Sequence, residues 1–453
     1  MKLQSLNPFN QQLIAEYDEI SDRQLQQSLD QSLEAFKSWS KVSIPLRAEK
    51  LIATANRLRA DKQKLSVLIS TEMGKPVREA EAEIEKCAWI CEYYAENAST
   101  FLQAEEIKTD AYLSRVEFEP LGIVLGIMPW NYPFWQVFRF LAPTLMAGNV
   151  CLLKHASNVQ GCALAIEKLF SDAGLSQGVF SSLVMGSSKV QALIEDFRIK
   201  AVTLTGSEQA GAAVAAVAGN CIKKTVLELG GSNALIVLED ADLKKAVDIA
   251  VAARMMNAGQ SCIAAKRFFV RREVFPEFTQ LLVEKVSSLK TGDPLNPSTE
   301  IGPLAGNWQA DEVEKQVNAS LAQGAKLLCG GFKNDAFYAP TVLADVKPGM
   351  PVFDEEVFGP VIPLMAVEND LQAVELSNHS AFGLGVSIIT NDVGRALSLA
   401  PLFEDGAVFV NSLVKSDPRL PFGGTKKSGY GRELSRFGLL EFVNIKTIYV
   451  KEL

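Results

Sequence analysis

Three side chains in this 453-residue sequence are placed to do chemistry, and the first is a thiol. Cys262 lies in Asn257-Ala-Gly-Gln-Ser-Cys-Ile263, where small residues on both sides let a substrate approach the sulfur. The second is Glu228, followed by Leu229, Gly230 and Gly231. A carboxylate beside glycines, at the junction of two apolar runs, is a candidate general base with a raised pKa. The third is Asn131 in Pro129-Trp-Asn-Tyr-Pro133, an amide donor held between prolines. A nucleophile, a base and an oxyanion donor are what acyl transfer through sulfur requires. A lone cysteine is more often a small buried hydrophobe, and that reading is kept for the remaining cysteines. The 2 histidines, His155 and His379, sit in no setting typical of a Cys–His pair, so the base is sought among the carboxylates.

The elements that must position these groups alternate between helix and strand. Ser21-Asp-Arg-Gln24 reads as a capping box ahead of a helix with Leu25, Leu29, Leu33 and Phe36 on one face. Pro45 suits the first turn of a second helix, and a third runs from Leu65 to Glu72. Gly74-Lys75 lacks the preceding glycine of a phosphate loop and is followed by Pro76, so that reading is rejected. Glu79 to Asn97 is amphipathic, and its Cys87 and Cys91 are taken as core thiols rather than metal ligands. Buried strands are predicted at 121–128, 150–154, 179–185, 201–204, 225–229 and 233–238, with helices at 135–146 and 160–174. The second half repeats the alternation, with a helix over 242–257, a strand over 267–271, helices over 274–288 and 309–323, and a strand over 326–329. This is an α/β chain of parallel βαβ units, with Gly230-Gly231 as a hinge between two modules. Thr205-Gly206-Ser207 ends one strand and opens a helix, and Lys154 ends a neighbouring one. Carboxyl ends of parallel strands and helix N-termini bind phosphates, so a dinucleotide is expected near Ser207 and Lys154.

At 48% hydrophobic and 22% charged the chain is an ordinary globular protein, too long for one core. A net charge of −8 argues against nucleic acid or an anionic membrane as partner. No apolar run reaches membrane-spanning length, the amino end has no signal core, and 7 unpaired-looking cysteines suit a reducing compartment. A soluble cytoplasmic protein is expected.

Seven segments in one order carry a resemblance. They are Pro129-Trp-Asn-Tyr-Pro133, Leu152-Leu-Lys154, Thr205-Gly-Ser207, Glu228-Leu-Gly-Gly231, Gly259-Gln-Ser-Cys262, Glu356-Val-Phe-Gly-Pro360 and Pro421-Phe-Gly-Gly424. The chain resembles the NAD(P)-dependent aldehyde dehydrogenases over nearly its full length. Trp135-Gln-Val-Phe-Arg139 and Lys154-His-Ala-Ser-Asn158 make it most similar to the bacterial succinate-semialdehyde dehydrogenases. The resemblance implies that Cys262 attacks an aldehyde, that its main-chain N–H and Asn131 hold the oxyanion, and that Glu228 activates the water that frees the acid. It implies that Trp130, Lys154, Gly206, Ser207, Glu356 and Phe358 line the cofactor site. Ser157 stands where the family places an acidic ligand of the NAD ribose, three positions after Lys154. A serine there does not repel a 2′-phosphate, so NADP is expected to be preferred over NAD.

For a substrate carboxylate the resemblance points to Arg139, with Trp135, Ser261 and Arg419 beside it. Arg139 lies at i+8 from Asn131, which on a helix would turn both to one side. The implied fold has a Rossmann-like cofactor domain (1–99 and 119–228), a catalytic domain (229–433) and an oligomerisation flap (100–118 and 434–453), in a homodimer or homotetramer. The rival readings are an aldehyde dehydrogenase for glutarate semialdehyde or a neutral aldehyde, and a non-catalytic binding protein on the same scaffold. Phosphorolysis or CoA transfer is disfavoured because Glu228 is present to activate water. No metal is implied.

Overall fold

A computed structural model describes residues 2–452. Two mainly parallel sheets organise it, each with one antiparallel edge strand, 429–430 in the first and 326–329 in the second. The first has the spatial order 429–430, 224–228, 199–205, 123–128, 150–155, 180–182, parallel throughout except for the short strand at 429–430. From Ile123–Met128 the chain first builds outward through Val150–His155 and Phe180–Ser182. It then returns to the other side of Ile123–Met128 for Ile199–Thr205 and Lys224–Glu228. The strand order therefore reverses between 123–128 and 199–205, the place where open α/β sheets bind ligands beyond their carboxyl ends. The second sheet has the order 326–329, 341–344, 361–367, 265–271, 233–237, 386–389, 408–410.

Local sequence explains the frame. Ser21 and Gln24 form the reciprocal capping box, with Ser21 N–H donating to Gln24 Oε1 at 3.0 Å and Gln24 N–H to Ser21 Oγ at 3.3 Å. Pro45 sits in the first turn of Ile44–Ala60. The helices Val77–Phe101 and Trp135–Met146 begin and end close to their predicted limits. Less was foreseen elsewhere. The amino end is a hairpin, Lys2–Leu6 against Leu13–Asp18. Strands Thr341–Ala344, Val361–Val367 and Val386–Ile389 were not anticipated. They are buried on both faces and carry no period-2 alternation to find them by.

Two apolar cores result. One gathers residues between Leu25 and Leu229, and the chain returns to it late through Phe422, Leu434, Leu439 and Phe442. The other gathers residues from Ala234 to Phe403. The segment 434–442, placed in the flap from sequence, thus packs in the first core through the helix Ser435–Leu440. Beyond it, Val443–Val450 pairs antiparallel with Leu113–Pro120, which pairs with Glu105–Glu106 in a small third sheet. Gly230 and Gly231 join the two main sheets, and their smallness serves contact. A Cβ at Gly231 would stand 2.7 Å from the Cys262 carbonyl, and one at Gly230 would strike Glu356.

Candidate active site around Cys262

The helix Leu243–Met255 ends, and three residues in succession turn left-handed: Asn257 at φ 54°, Ala258 at 52° and Gly259 at 76°. For non-glycine residues this conformation costs roughly 1–2 kcal/mol each, so something must hold it. Glu79 Oε2 accepts the Asn257 N–H at 2.7 Å, and Asn257 Nδ2 donates to the Asn131 carbonyl at 2.8 Å. Gln260 Oε1 accepts the Ala305 N–H at 2.9 Å. Lys266, fully buried, donates to the carbonyls of Ser261 (2.8 Å) and Cys262 (3.0 Å). The turn that presents the thiol is fixed from several sides, as strained functional turns must be.

Asn131 comes from the turn after strand Ile123–Met128 and donates through Nδ2 to the Gln260 carbonyl at 3.0 Å. It precedes the helix Trp135–Met146, so the i+8 helical relation to Arg139 does not hold. Asn131 reaches the thiol's turn by that hydrogen bond, and Arg139 by the helix. The Asn131 loop is itself anchored. His155 Nε2 lies 2.8 Å from the Pro133 carbonyl, and Nδ1 lies 2.9 Å from the Ala156 N–H and 3.2 Å from the Met128 carbonyl. Burial pulls the His155 pKa down to about 4, which keeps the ring neutral. Glu83 Oε1 accepts the N–H groups of Phe134 and Trp135, both at 2.9 Å, at the positive end of that helix. Its other oxygen is ion-paired with buried Lys75, whose ammonium lies 3.7 Å from the centre of the Tyr132 ring.

Glu228 ends its strand fully buried. Burial, then the charge of Glu433, push its carboxyl well above the usual carboxylate range, against the pull of Arg139 and Arg432. Gly423 leaves it room, since a Cβ there would stand 2.8 Å from Glu228 Oε1. Burial raises the Cys262 thiol to about 11, while Arg139 and Lys266 pull it down. Glu228 adds its charge to those that act on the Cys262 thiol, but it does not line the cavity on which the thiol opens.

Cys262 opens on a cavity of about 600 Å³, which Ser261, Trp135 and Arg139 also line. Arg139 is buried, ion-paired with Glu433, and donates to Thr205 Oγ1 at 3.2 Å. Arg419 is a correction: it does not line the cavity. Its guanidinium forks onto Asp417, two residues earlier, at 2.9 and 2.7 Å, and lies over the Trp89 ring. The local carboxylate captures it before any tertiary contact can. Sequence reasoning missed three other cations on the cavity wall, Arg78, Lys86 and Lys415.

At the carboxyl ends of the first sheet, Lys154 has no ion-pair or hydrogen-bond partner among the described residues, and burial lowers its pKa. Ser157 is exposed in the short turn that follows. Ser207 caps the helix Glu208–Asn220, and Gly206 donates its N–H to the Glu228 carbonyl at 3.0 Å. Glu356 Oε1 accepts the Gly231 N–H at 3.0 Å and pairs with Lys266 at 3.0 Å. Trp130 meets Phe358 and Trp308 edge-on, at 5.8 and 5.5 Å between ring centres. A half-buried cation without a counter-ion, an exposed helix cap, an anchored carboxylate and aromatic faces fit a dinucleotide with an extra phosphate.

The aldehyde dehydrogenase family model matches residues 1–448. The chain belongs to the aldehyde dehydrogenase family. It is 47% identical over 453 residues to a probable succinate-semialdehyde dehydrogenase [NADP(+)] of Synechocystis, covering 99% of this chain and 100% of that one. It is 45% identical over 448 residues to the succinate semialdehyde dehydrogenase [NAD(P)+] Sad of Escherichia coli, covering 98% and 97%. A crystal structure of succinic semialdehyde dehydrogenase from Streptococcus pyogenes in complex with NADP+ superposes with a TM-score of 0.97 at 36% identity, covering 99% of this chain and 100% of that one.

In this aldehyde dehydrogenase the residues missed from sequence are mostly those that hold others. Lys266 follows the thiol at i+4 and bridges it to Glu356. Lys266 shares the strand Ala265–Arg271 with Arg267 and Arg271, so no local signal singled it out. His155 and Glu83 had none, because His155 meets main-chain groups and Glu83 divides itself between main-chain N–H groups and Lys75. Among the described residues no group of three or more His, Cys, Asp or Glu could hold a metal, and no helix is long and apolar enough to cross a membrane. Cys87 and Cys91 are both fully buried in the first core.

Proposed function

We propose that this aldehyde dehydrogenase oxidises succinate semialdehyde to succinate and reduces NADP in preference to NAD. One observation carries the reading: the cavity that opens on Cys262 is lined by Arg78, Lys86, Arg139 and Lys415 as well as by Glu79, Glu83 and Glu300, so an aldehyde can reach the thiol where a substrate carboxylate also meets cations. The relatives bearing succinate-semialdehyde dehydrogenase names support it. We assign Cys262 as the nucleophile that forms a thiohemiacetal, with its main-chain N–H and Asn131 holding the oxyanion. NADP, when bound, supplies the two-electron acceptor that lets this adduct become a thioester. Glu228 then takes a proton from the water that releases the acid. We assign Lys154, Ser157 and Ser207 to the phosphates and adenosine ribose, Glu356 to the nicotinamide ribose, and Trp130, Gly206 and Phe358 to the remaining walls. The two cores correspond in this reading to a cofactor domain and a catalytic domain, and the third sheet to a flap that joins copies of the chain.

Steady-state rates with succinate semialdehyde, glutarate semialdehyde and hexanal, each with NAD and NADP, test it. Succinate semialdehyde with NADP is expected to give the highest kcat/KM. Equal efficiency with hexanal overturns the substrate assignment, and roughly tenfold better efficiency with NAD overturns the cofactor assignment. Ser157→Glu, which sets a carboxylate against the 2′-phosphate, is expected to lower NADP efficiency by about tenfold or more relative to NAD.

A further inference from the structure

Lys266 is fully buried on the strand Ala265–Arg271, at i+4 from the thiol. An ammonium has three donors, and here each meets an oxygen. Two go back to the turn, to the carbonyls of Ser261 at 2.8 Å and Cys262 at 3.0 Å. The third crosses to Glu356 Oε1 at 3.0 Å, on the loop that leads into the neighbouring strand Val361–Val367. The two ends have anchors of their own. The thiol turn is held through Glu79, Asn257 and Gln260. The Glu356 loop is held by Arg254, whose Nη2 donates to the Val357 carbonyl at 2.9 Å, and by Gln309, whose Nε2 donates to the Phe358 carbonyl at 3.0 Å. Lys266 is bonded to both ends.

Burying an ammonium is costly even when it is paired, and an apolar side chain would fill the strand without that cost. The charges around Lys266 oppose one another. Burial presses it toward its neutral form, Glu356 holds it charged, and buried Arg254 adds a like charge. On the thiol, burial favours the protonated form, Arg139 and Lys266 favour the thiolate, and Glu356 and Glu228 oppose it. We propose that Lys266 is a positioning residue that sets the Cys262 turn and the Glu356 carboxylate in one frame, so that the sulfur and the cofactor site keep a fixed separation, and that its charge supports the thiolate. This rests on the reading that Cys262 is the nucleophile and that Glu356 holds the nicotinamide ribose.

The test uses the full-length enzyme and its Lys266→Met variant, with two readouts that need no turnover. The first is alkylation of Cys262 by iodoacetamide without cofactor at about pH 8, followed on the Cys262 peptide by mass spectrometry because Cys221 and Cys329 are also only half-buried. Below the thiol's midpoint the rate follows the thiolate fraction, so loss of a nearby cation is expected to slow it about tenfold. Arg78, Glu79, Glu83, Lys86, Glu300 and Lys415 also face the cavity of the thiol, and no substitution in the test touches them. The second readout is the affinity for NADP and for 2′,5′-ADP, which carries the 2′-phosphate but no nicotinamide ribose. Lys266→Met is expected to weaken NADP about tenfold, the worth of a hydrogen bond to a charged group, and 2′,5′-ADP by less than twofold.

A loss at one end only overturns the common frame. Slow alkylation with normal NADP affinity leaves Lys266 to the thiol alone, and the reverse leaves it to Glu356 alone. Lys266→Gln keeps N–H donors in the same space without the charge and is expected to slow alkylation as well. A Gln variant that reacts at the unsubstituted rate overturns the proposal, and that arm stands if the Met variant does not fold. Glu356→Gln tests the ribose reading separately. If it leaves NADP affinity within twofold, that reading fails. If it weakens NADP and Lys266→Met does not, only the role of Lys266 is overturned.

Discussion

At the scale of single residues, the site pairs two groups that burial drives the same way, toward their neutral forms. The Cys262 thiol at about 11 is almost wholly protonated at neutral pH, so the thiolate fraction rises with pH across the working range. Burial and the like charge of Glu433 raise the Glu228 carboxyl, so its ionised form is a stronger base than an ordinary carboxylate. Glu228→Gln removes the base and keeps the shape. It is expected to lower steady-state kcat by roughly 10²- to 10⁴-fold. If Glu228 serves the water step, a stopped-flow trace will still show one rapid equivalent of reduced cofactor per site before turnover stalls. A variant with undiminished kcat would remove Glu228 from the mechanism. Arg419 shows the opposite lesson at this scale. Its partner Asp417 was two residues away in the sequence, and a local fork with main-chain support outcompetes a distant tunnel.

At the scale of elements, the helix Trp135–Met146 is the lever that aims the site. It starts just after the Asn131 loop, carries Trp135 and Arg139 to the cavity, and has its N-terminal N–H groups held by Glu83. Glu83 is buried with Lys75, and removing one partner of a buried pair leaves an uncompensated charge. Glu83→Gln is therefore expected to destabilise the protein by about 3–5 kcal/mol, read from the urea midpoint, and to lower kcat by loosening Asn131. Adding Lys75→Met should recover part of the stability, because the stranded ammonium is gone. A Glu83→Gln enzyme with an unchanged midpoint would show that the pair does not hold the helix. The left-handed Asn257-Ala258-Gly259 turn belongs to the same scale, since its hydrogen bonds come from the helix Val77–Phe101, the Asn131 loop and residue Ala305.

At the scale of the whole molecule, the third sheet leaves Val443–Val450 paired on one side only, to Leu113–Pro120. Ile445, Tyr449 and Val450 on it are exposed by 61%, 48% and 41%. A long apolar edge strand of this kind invites pairing with another chain. We propose that it forms the contact between copies. Ile445→Lys is expected to shift the sedimentation coefficient toward that of a 49.3 kDa monomer. A variant that sediments unchanged would place the interface elsewhere.

The sequence alone pointed to the chemistry we propose. Cys262, Glu228 and Asn131 stood out as a thiol among small residues, a carboxylate before two glycines and an amide between prolines, and the family resemblance gave them their roles. The alternation of helical periods with short apolar runs likewise indicated the first sheet and most helix limits, because a helix buried on one face carries a period and a strand buried on both reads as a run bounded by turns. The tertiary structure decided which charges meet. Arg139 is ion-paired with Glu433, which the chain brings to it only on its late return. Glu79, Glu83 and Lys86, at i, i+4 and i+7, share one face of the helix Val77–Phe101. Packing against Trp135–Met146 turned that face inward and made it part of the cavity wall. Ion pairing depends on distances across the fold, and no periodicity along the chain encodes them.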